Sequence, residues 1–578
     1  MVQRVTFIFC LIWAGLLSPR LQARTWIVAP SGGDFSSIQA ALDVAVAGDL
    51  ILVQDGGVPY FEKLVFPRSG DATAGFIRLQ AWPGDRPILD GTGVPGAHMV
   101  FLENRSYVQI QGFEIRNLLQ ASDGSGIRVT GSGNHIEILD NRIHDIRGTD
   151  AMGITVYGTA STSIADLVIR GNEIYDCEPA RSEALVLNGN IERFEVCENV
   201  VRDVNNIGID FIGGEADIHP TQGVRNGICV ANQVFRANSN YGGGYAAGIY
   251  VDGGRDILIQ GNLVSGCDLG IEVGCENQGW VAANIEVRDN LIVQNQKSGL
   301  VFGGYAASVG RVQDCNFVNN VLFQNNELRQ WASEIEIQYS SNNVLRHNIV
   351  VCNEQNQMVY GENTSSGNLL DWNLWFAAAG NAAADFTWQG QYYPGFTVFQ
   401  SLSGQAVHGR FQDPQFVAPN QGDFHLQAGS PAIDGGDPGS VLTGLDFYGF
   451  PRLQDGLSQG SLVLDQGAHE YGQTALAVSG AILPGATLDL QVQGPAGWQA
   501  WLVAGVALGE EILVPYGLLM IDRQAPWLSQ YLGTAPGTFP VTVPVTAQTG
   551  TWFHLQVVAV APGGQLGQFS NPVSVQVE

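Results

Sequence analysis

The sequence predicts an all-β solenoid of stacked coils, followed by a small β-sandwich-like domain. Three observations support this fold class. Asparagines recur at an almost constant spacing, short Gly-Ile phrases fall between them, and 73 glycines in 578 residues provide many tight turns. Near the C-terminus the repeat gives way to alternating, strand-like segments that carry few charges.

The first repeated phrase is apolar-x-apolar-x-x-Asn-x-apolar, as in IEILDNRI and ILIQGNLV. Its asparagines are separated by steps of 27 to 33 residues. They are Asn141, Asn172, Asn199, Asn232, Asn262 and Asn290, continued less regularly by Asn320 and Asn348. Two or three short strands per repeat, with insertions only between them, predict a β-solenoid. We expect the asparagines to stack at one turn and to hydrogen-bond along the axis.

The second phrase is Gly-Ile-x-apolar, which occurs as GIRV, GITV, GIDF, GIYV, GIEV and the variant GLVF. The two phrases together resemble the right-handed parallel β-helix superfamily that includes pectate lyases and polygalacturonases. The resemblance implies a right-handed parallel β-helix over residues 24–400. It also implies an N-terminal capping helix at SSIQAALDVAVA, with Asp34 or Ser36 as its N-cap. Such a helix would cover strand edges that a solenoid end leaves open.

The remaining segments complete the predicted organisation. Residues 1–23 have the pattern of a signal peptide, with Arg4 before a short apolar run and Ala23 at the expected cleavage site. Residues 401–472 resemble the C-terminal closing segment of many secreted bacterial β-helices. Residues 473–578, with Arg523 as their one basic side chain, predict a small β-sandwich-like accessory domain. We therefore expect a bacterial protein that is secreted or at the cell surface, extracellular or periplasmic.

Composition excludes several partners. Without Arg4 and Arg20 the chain has 25 basic and 55 acidic residues, a formal charge near −30, which disfavours nucleic acid and anionic lipid. Beyond the signal peptide we expect no membrane span. The seven cysteines outside the predicted signal peptide have no metal-binding spacing, so we expect no zinc. Their disulfide pairing stays open. Oligomeric state stays open as well.

The candidate site lies in the stretch GIYVD…DLGIEVGCE, residues 248–276. Alternation sends Ile and Val inward and places Asp252 and Glu272 on the outward face of consecutive rungs. Their offset, one rung and two residues, predicts Cα atoms ~8 Å apart and carboxyl groups ~5–6 Å apart. Asp210 and Tyr250 fall in the same outward column, and Gly274 and Gly303 are expected to leave room for a groove.

Carboxylates this close disfavour joint ionisation, so one of them should keep a proton at neutral pH. A protonated and an ionised carboxyl group across a glycosidic bond are what acid-assisted glycoside cleavage requires. A solvated outer face of an acidic protein is the alternative interpretation. The expected substrate contacts are Tyr250, Glu215, Tyr245, Tyr157 and Asn188.

GIYVD and DLGIEV are similar to paired motifs of β-helix glycosidases that include β-xylosidases. The resemblance implies a retaining enzyme with Asp252 as nucleophile and Glu272 as acid/base, assisted by Asp210. It covers fewer than thirty residues, and the sequence departs from the pattern at Gly253-Gly254 and at GCENQG after Val273. These departures leave the sugar unspecified.

The sequence therefore predicts a glycoside hydrolase acting on a poly- or oligosaccharide, with no metal or cofactor. One alternative is a polysaccharide lyase of the pectate type, using Ca²⁺ and a basic residue such as Arg128 or Lys297. Only two lysines occur, which disfavours this alternative. The other alternative is a non-catalytic β-helix protein that binds glycans or acts at the cell surface.

Overall fold

The computed structural model describes residues 23–240, 243–330, 332–457, 462–472, 474–480, 482–513, 517–544, 546–562 and 567–577. The predicted signal peptide, apart from Ala23, lies outside the described residues. The described chain winds into a right-handed parallel β-helix with three faces, which we call A, B and C, and ends in small antiparallel sheets. The predicted fold class is confirmed.

Face A is a path of thirteen parallel strands. They are Thr25–Val28, Leu50–Val53, Ile77–Ala81, Val108–Gln111, Gly133–Leu139, Ile164–Arg170, Ile191–Cys197, Arg225–Val230, Arg255–Gln260, Val281–Arg288, Asn316–Val318, Val344–Arg346 and Leu369–Asp371. Two short strands, Arg311–Gln313 and Ser340–Ser341, pair beside this path.

Faces B and C are joined because two long strands, Glu114–Thr130 and Arg142–Gly158, run through both. The other strands of face B are Ile88–Asp90, Glu173–Tyr175, Val200–Val204, Gln233–Ala237, Leu263–Ser265, Leu291–Val293, Val321–Phe323, Ile349–Val351, Leu374–Phe376 and Arg410–Phe411. The other strands of face C are Leu64–Val65, His98–Glu103, Leu185–Gly189, Ile209–Ile212, Ala247–Asp252, Leu269–Gly274, Leu300–Phe302, Ile335–Ile337, Gln357–Gly361 and Asp385–Trp388.

The asparagine ladder forms as predicted. The Nδ2 of Asn262 donates to Oδ1 of Asn290 at 3.0 Å, and the same bond repeats from Asn141 onward. The ladder also continues past the predicted positions to Asn373. A residue with positive φ precedes many of these asparagines, as at Asp289 (57°), and turns the chain sharply from face A to face B. The buried amides satisfy main-chain groups that the turn leaves without strand partners.

The N-terminal helix is shorter than predicted. It spans Ile38–Val44, and its N-cap is Ser37, whose hydroxyl accepts the Ala40 N–H at 3.2 Å. The predictions of Asp34 and Ser36 as N-caps were wrong, because Glu62 fixes Ser37: its carboxylate accepts both the Ser37 hydroxyl and the Ile38 N–H. The buried side of the helix joins the main core. That the helix caps the coil stays a prediction.

Aromatic side chains fill the core of the last coils. The strand Gln391–Pro394 pairs back on Asp385–Trp388, and the helix Phe396–Leu402 follows it.

The 3-10 helices are Asn381–Ala383 and Pro419–Gln421, and the strands Phe416–Ala418 and Asp423–Leu426 form a hairpin. This hairpin packs on the outer side of face B, where it buries apolar residues of four rungs.

The C-terminal residues form two facing antiparallel sheets and a hairpin. The strands are Ala475–Ser479, Thr487–Gln493 and Gly537–Thr542, then Gln499–Gly505, Trp527–Thr534, Trp552–Val560, Gly567–Phe569 and Val573–Gln576, and the hairpin Leu508–Leu513 with Gly517–Ile521. Leu490 from the first sheet and Val557 from the second share one apolar core, as in a β-sandwich. None of the helices in the described part combines the length and hydropathy that a membrane crossing requires.

Candidate active site

The outward column of face C has the predicted register. Asp210 pairs with Tyr250, which pairs with Glu272, and Glu272 then pairs with Val301. Asp252 pairs with Gly274, two residues beyond Glu272 along the next strand. The predicted offset of Asp252 and Glu272, one rung and two residues, is therefore present in the fold.

Asp210 and Asp252 are buried carboxyl groups, with 1% and 5% of their surface exposed. The Phe211 N–H donates to Oδ1 of Asp210 at 2.6 Å. The Glu276 N–H donates to Oδ1 of Asp252, also at 2.6 Å. Each carboxyl group is thus fixed by a main-chain donor, which holds it without neutralising its charge.

Glu276 belongs to a loop that covers this part of face C. It is exposed, and the side chain of the buried Tyr250 lies near it. Trp280 anchors the loop, because its Nε1 donates to the Gly253 carbonyl at 2.7 Å. A Cβ at Gly253 would lie 2.7 Å from the Trp280 ring, so the glycine lets the ring approach. Gly253 and the loop after Val273 are the two places where the sequence departs from the glycosidase motifs. In the structure they contact each other.

The predicted role of Gly274 and Gly303 as open space was wrong. A Cβ at Gly274 would lie 2.8 Å from the Tyr250 hydroxyl, so the tyrosine ring occupies that space. A Cβ at Gly303 would lie 2.6 Å from the backbone of Gln338. The glycines permit close packing around the site, and the opening lies elsewhere.

That opening is a cavity of about 460 Å³ on face C. It is lined by the carboxylates of Glu272, Glu276 and Glu336, by Tyr245, Tyr250 and Tyr305, and by Ile207, Leu269, Val301 and Gln338. Glu336, two rungs beyond Glu272 in the outward column, thus shares a cavity with it. Carboxylates and tyrosines around an apolar floor can bind a ligand with both hydroxyl groups and C–H faces.

Tyr245 forms a wall of this cavity and is held by Lys297. The Lys297 ammonium lies 3.6 Å from the centre of the exposed Tyr245 ring, and it donates to the Gly243 carbonyl. Asp268 fixes the same loop by accepting the Ala246 N–H at 3.0 Å. Lys297 is therefore engaged in shaping the wall.

A second cavity, of about 430 Å³, adjoins the first at Glu336. Tyr360, Tyr392 and Thr387 are among the residues around it. Tyr360 and Thr387 follow Glu336 in the same outward column. The two cavities therefore extend along the axis of the β-helix.

Burial and mutual repulsion raise the pKa of every carboxyl group in this cluster that shows a resolved shift. Burial, then the charge on Glu276, raises the pKa of Asp252 to about 8. Burial, followed by Glu276, Glu336 and Asp252, raises the pKa of Glu272 well above its usual range. Burial, followed by Glu183 and Asp252, does the same for Asp210. The cluster therefore holds protons near neutral pH.

The other predicted contact residues lie on the N-terminal side of Asp252. The Asn188 amide donates to Oε2 of Glu215 at 2.6 Å. Tyr157 is half-buried, with the Arg128 guanidinium 4.7 Å from its ring centre. Arg128 is itself buried and paired with Asp123 at 2.6 Å. None of these residues is among those lining the cavity around Glu272, so their contact with substrate stays a prediction.

Sequence reasoning missed two carboxyl groups, Glu276 and Glu183. Glu183 is 8% exposed, and burial, then the charges on Glu215, Asp252 and Glu276, raises its pKa to about 8. Both residues stand in loops beside rungs, where no periodicity marks them. The only signal was the departure at GCENQG, which contains Glu276. Among the described residues, no three metal-binding side chains are grouped as a metal site would need.

Comparison with known proteins gives one related sequence family and several likenesses of shape. No protein-family model matches the chain. Alginate lyase from Paenibacillus sp. str. FPU-7 has a TM-score of 0.37 at 18% identity, over 54% of this chain and 97% of that one. XylC in complex with xylose has a TM-score of 0.31 at 12% identity, over 90% and 100%. Likenesses at these values carry no inference about activity.

The sequence relationship is stronger. The uncharacterized protein YwoF of Bacillus subtilis (strain 168) is 32% identical over 432 residues, which cover 70% of this chain and 91% of that protein. Most of YwoF is therefore matched by the present sequence. The chain belongs to the same protein family as YwoF.

Proposed function

We propose that this protein is an exported glycoside hydrolase that cleaves a poly- or oligosaccharide on face C. The observation that carries the proposal is that Asp252 and Glu272 lie on adjacent rungs, and that Glu272 and Glu276, whose N–H bonds Asp252, line one cavity. Two carboxyl groups with raised pKa, next to an opening of ligand size, are the arrangement that acid-assisted glycoside cleavage uses.

Within this proposal the two groups differ in the role that suits them. Asp252 accepts the Glu276 N–H, a bond that favours the ionised form, so it is the better nucleophile. Glu272 lines the cavity and has a pKa held well above its usual range, so it is the better proton donor. The charge on Asp252 helps to raise the pKa of Asp210, so Asp210 would keep a proton while Asp252 is ionised.

The proposed reaction has two steps. Asp252 attacks the anomeric carbon while Glu272 gives its proton to the departing glycosidic oxygen, which leaves a glycosyl ester on Asp252. Glu272, now ionised, takes a proton from water as that water attacks the anomeric carbon. The ester bond breaks, Asp252 returns as a carboxylate, and the sugar keeps its anomeric configuration.

The charges around the cavity favour an uncharged sugar. Glu272, Glu276 and Glu336 line it, and Lys297 interacts there with Tyr245. A chain of uronates would add negative charge to a cluster in which mutual repulsion already raises the pKa of Glu272 and Glu276, unless cations intervened. Arg128, the alternative base of a lyase, is buried and paired with Asp123.

Purified protein should be incubated with neutral and acidic glycans, with and without a chelator. We expect cleavage of a neutral glycan that a chelator does not stop, with saturated products whose anomeric configuration is retained. Unsaturated uronate products that absorb in the ultraviolet would instead identify a lyase. Binding without cleavage would favour a glycan-binding protein.

N-terminal sequencing of secreted protein should find the chain starting near Arg24.

A further inference from the structure

The loop over face C holds Glu276 in a defined place. Trp280 lies against Gly213, Gly214 and Gly253, and each of these glycines would clash with the ring if it carried a Cβ. The Asn277 amide also donates to the Gly213 carbonyl at 3.3 Å. The loop is thus bound to two coils. These contacts fix the position of Glu276, the residue before Asn277.

Glu276 makes two separate contacts with the proposed machinery. Its main-chain N–H donates to Asp252 at 2.6 Å. Its side chain lies near that of Tyr250, whose ring lies against Gly274. The same side chain is exposed and lines the cavity with Glu272. One residue therefore contacts the buried carboxyl group through its backbone and faces the cavity with its side chain.

We infer that Glu276 is a third functional carboxylate, which positions Asp252 through its N–H and binds hydroxyl groups of an uncharged sugar ring through its side chain. The inference rests on the proposed glycoside hydrolysis. A carboxylate has about four acceptor positions, so the exposed Glu276 carboxylate can accept hydrogen bonds from several sugar hydroxyls. Hydrogen bonds from hydroxyls to a charged acceptor are among the stronger ones in proteins.

The charge of Glu276 also acts on its neighbours. Of the charges that raise the pKa of Asp252 and Glu272, that of Glu276 contributes most. Three other titratable groups affect the pKa of Asp252, Glu272 or Glu276, namely Glu215, Glu336 and Tyr250. In turn, Asp252 and Glu276 raise the pKa of Glu183, Asp210, Tyr305 and Cys275. Removing the Glu276 charge should therefore lower the pKa of Asp252 and keep the backbone bond.

The test compares Glu276→Gln, Glu272→Gln and Asp252→Ala on p-nitrophenyl glycosides of neutral sugars. This leaving group needs little protonation, so E272Q should keep most of its kcat/KM on these substrates and lose it on the natural glycan. Its kcat should fall on both, because the second step lacks its base. D252A should lose activity on both. E276Q should lose roughly 10- to 100-fold in kcat/KM on both, because its contact is with the sugar ring.

The pH profile gives a second measurement. In E276Q the acidic limb of kcat/KM should move to lower pH than in the wild type, a shift that a purely structural defect would not produce. Gln278→Ala, an exposed change in the same loop, is the matched control and should behave like the wild type. If D252A and E272Q behave as expected but E276Q matches the wild type in rate and pH profile, the inference is overturned. Unchanged activity in D252A and E272Q, or no cleavage by the wild type, overturns the proposed function as well.

Discussion

The main-chain N–H of Glu276 donates a 2.6 Å hydrogen bond to Oδ1 of Asp252. This bond joins a loop to the buried end of a strand, Ala247–Asp252. It supplies the donor that an ionised carboxylate needs inside a protein, since burial alone would keep Asp252 protonated. The candidate nucleophile therefore depends on a hydrogen bond from the loop after Val273, which the resemblance to glycosidase motifs does not include.

Asp252→Ala should abolish glycoside cleavage. The substitution removes the atom that forms the covalent bond, so kcat should fall by roughly 10⁴-fold or more. Rates on the glycan cleaved by the wild type measure the effect. Asp252→Ala with added azide should recover activity and give a glycosyl azide of inverted configuration, which a binding or folding defect would not do. A D252A rate within tenfold of the wild type would contradict the assignment.

Activity should depend on pH through Asp252. Its pKa is raised to about 8, first by burial and then by Glu276, so the carboxyl group is protonated at lower pH and cannot attack. Glu272, with a pKa well above its usual range, still holds its proton there. We expect kcat/KM to rise as pH increases toward 8. Because the groups are coupled, the midpoint belongs to the cluster as a whole. A rate that is flat from pH 5 to 9 would be inconsistent with this arrangement.

Asp252→Asn should stabilise the protein at alkaline pH. An acid whose pKa is raised on folding binds its proton more tightly in the folded state, so stability falls as pH rises from 3.8 toward 8. The amide removes this penalty and keeps an oxygen for the Glu276 N–H. The gain should be on the order of a few kcal/mol at pH 8 and absent near pH 3.5. Thermal unfolding of wild type and D252N at both pH values measures it. Equal gains at both pH values would point to a cause other than charge.

The repeat could be predicted because it obeys one rule on every coil. The ladder from Asn141 to Asn348 and the outward column through Asp210, Tyr250 and Glu272 have the expected register. Both follow from alternation and from a turn that each coil repeats. Neither requires knowledge of what approaches the face from outside.

What lies over the face could not be predicted in the same way. Gly274 looked like open space, but the Tyr250 ring fills it. Glu276 and Glu183 stand in loops whose paths depend on tertiary contacts, such as that of Trp280 with Gly253. A single sequence gives periodic positions directly, but it gives no coordinates for insertions between them.

Asn262→Ala should destabilise the β-helix. The Asn262 amide donates to the Cys229 carbonyl at 2.9 Å, and its oxygen accepts the Asn232 N–H at 2.8 Å. Alanine leaves these buried groups without partners, which should cost about 2–5 kcal/mol. Denaturant unfolding measures the loss, and Asn363→Ala, in an exposed turn, is the control and should change little. A loss below ~1 kcal/mol would mean that water or a shifted backbone replaces the ladder at this rung.

Arg452→Ala should weaken the attachment of the closing segment, residues 401–472, to the β-helix. Arg452 is fully buried; it bonds Asp289 of the β-helix, the Gly467 carbonyl at 2.8 Å and Glu470 at 3.2 Å. Removing it leaves buried carboxylates without their cation, so the loss should be about 3–5 kcal/mol at neutral pH.

The loss from Arg452→Ala should shrink as pH falls. Burial raises the pKa of Glu470 to about 7 even though Arg452 opposes it, so without the arginine the acid protonates more readily. Unfolding at pH 5 and pH 8 measures the difference. The matched control is Arg193→Ala, which breaks an exposed pair with Asp166 at 2.9 Å and should cost under about 1 kcal/mol. If the two variants lose equal stability at pH 8, Arg452 does not hold the segment through buried charge. The contacts of Phe416 and Phe424 with face B would then be what binds it.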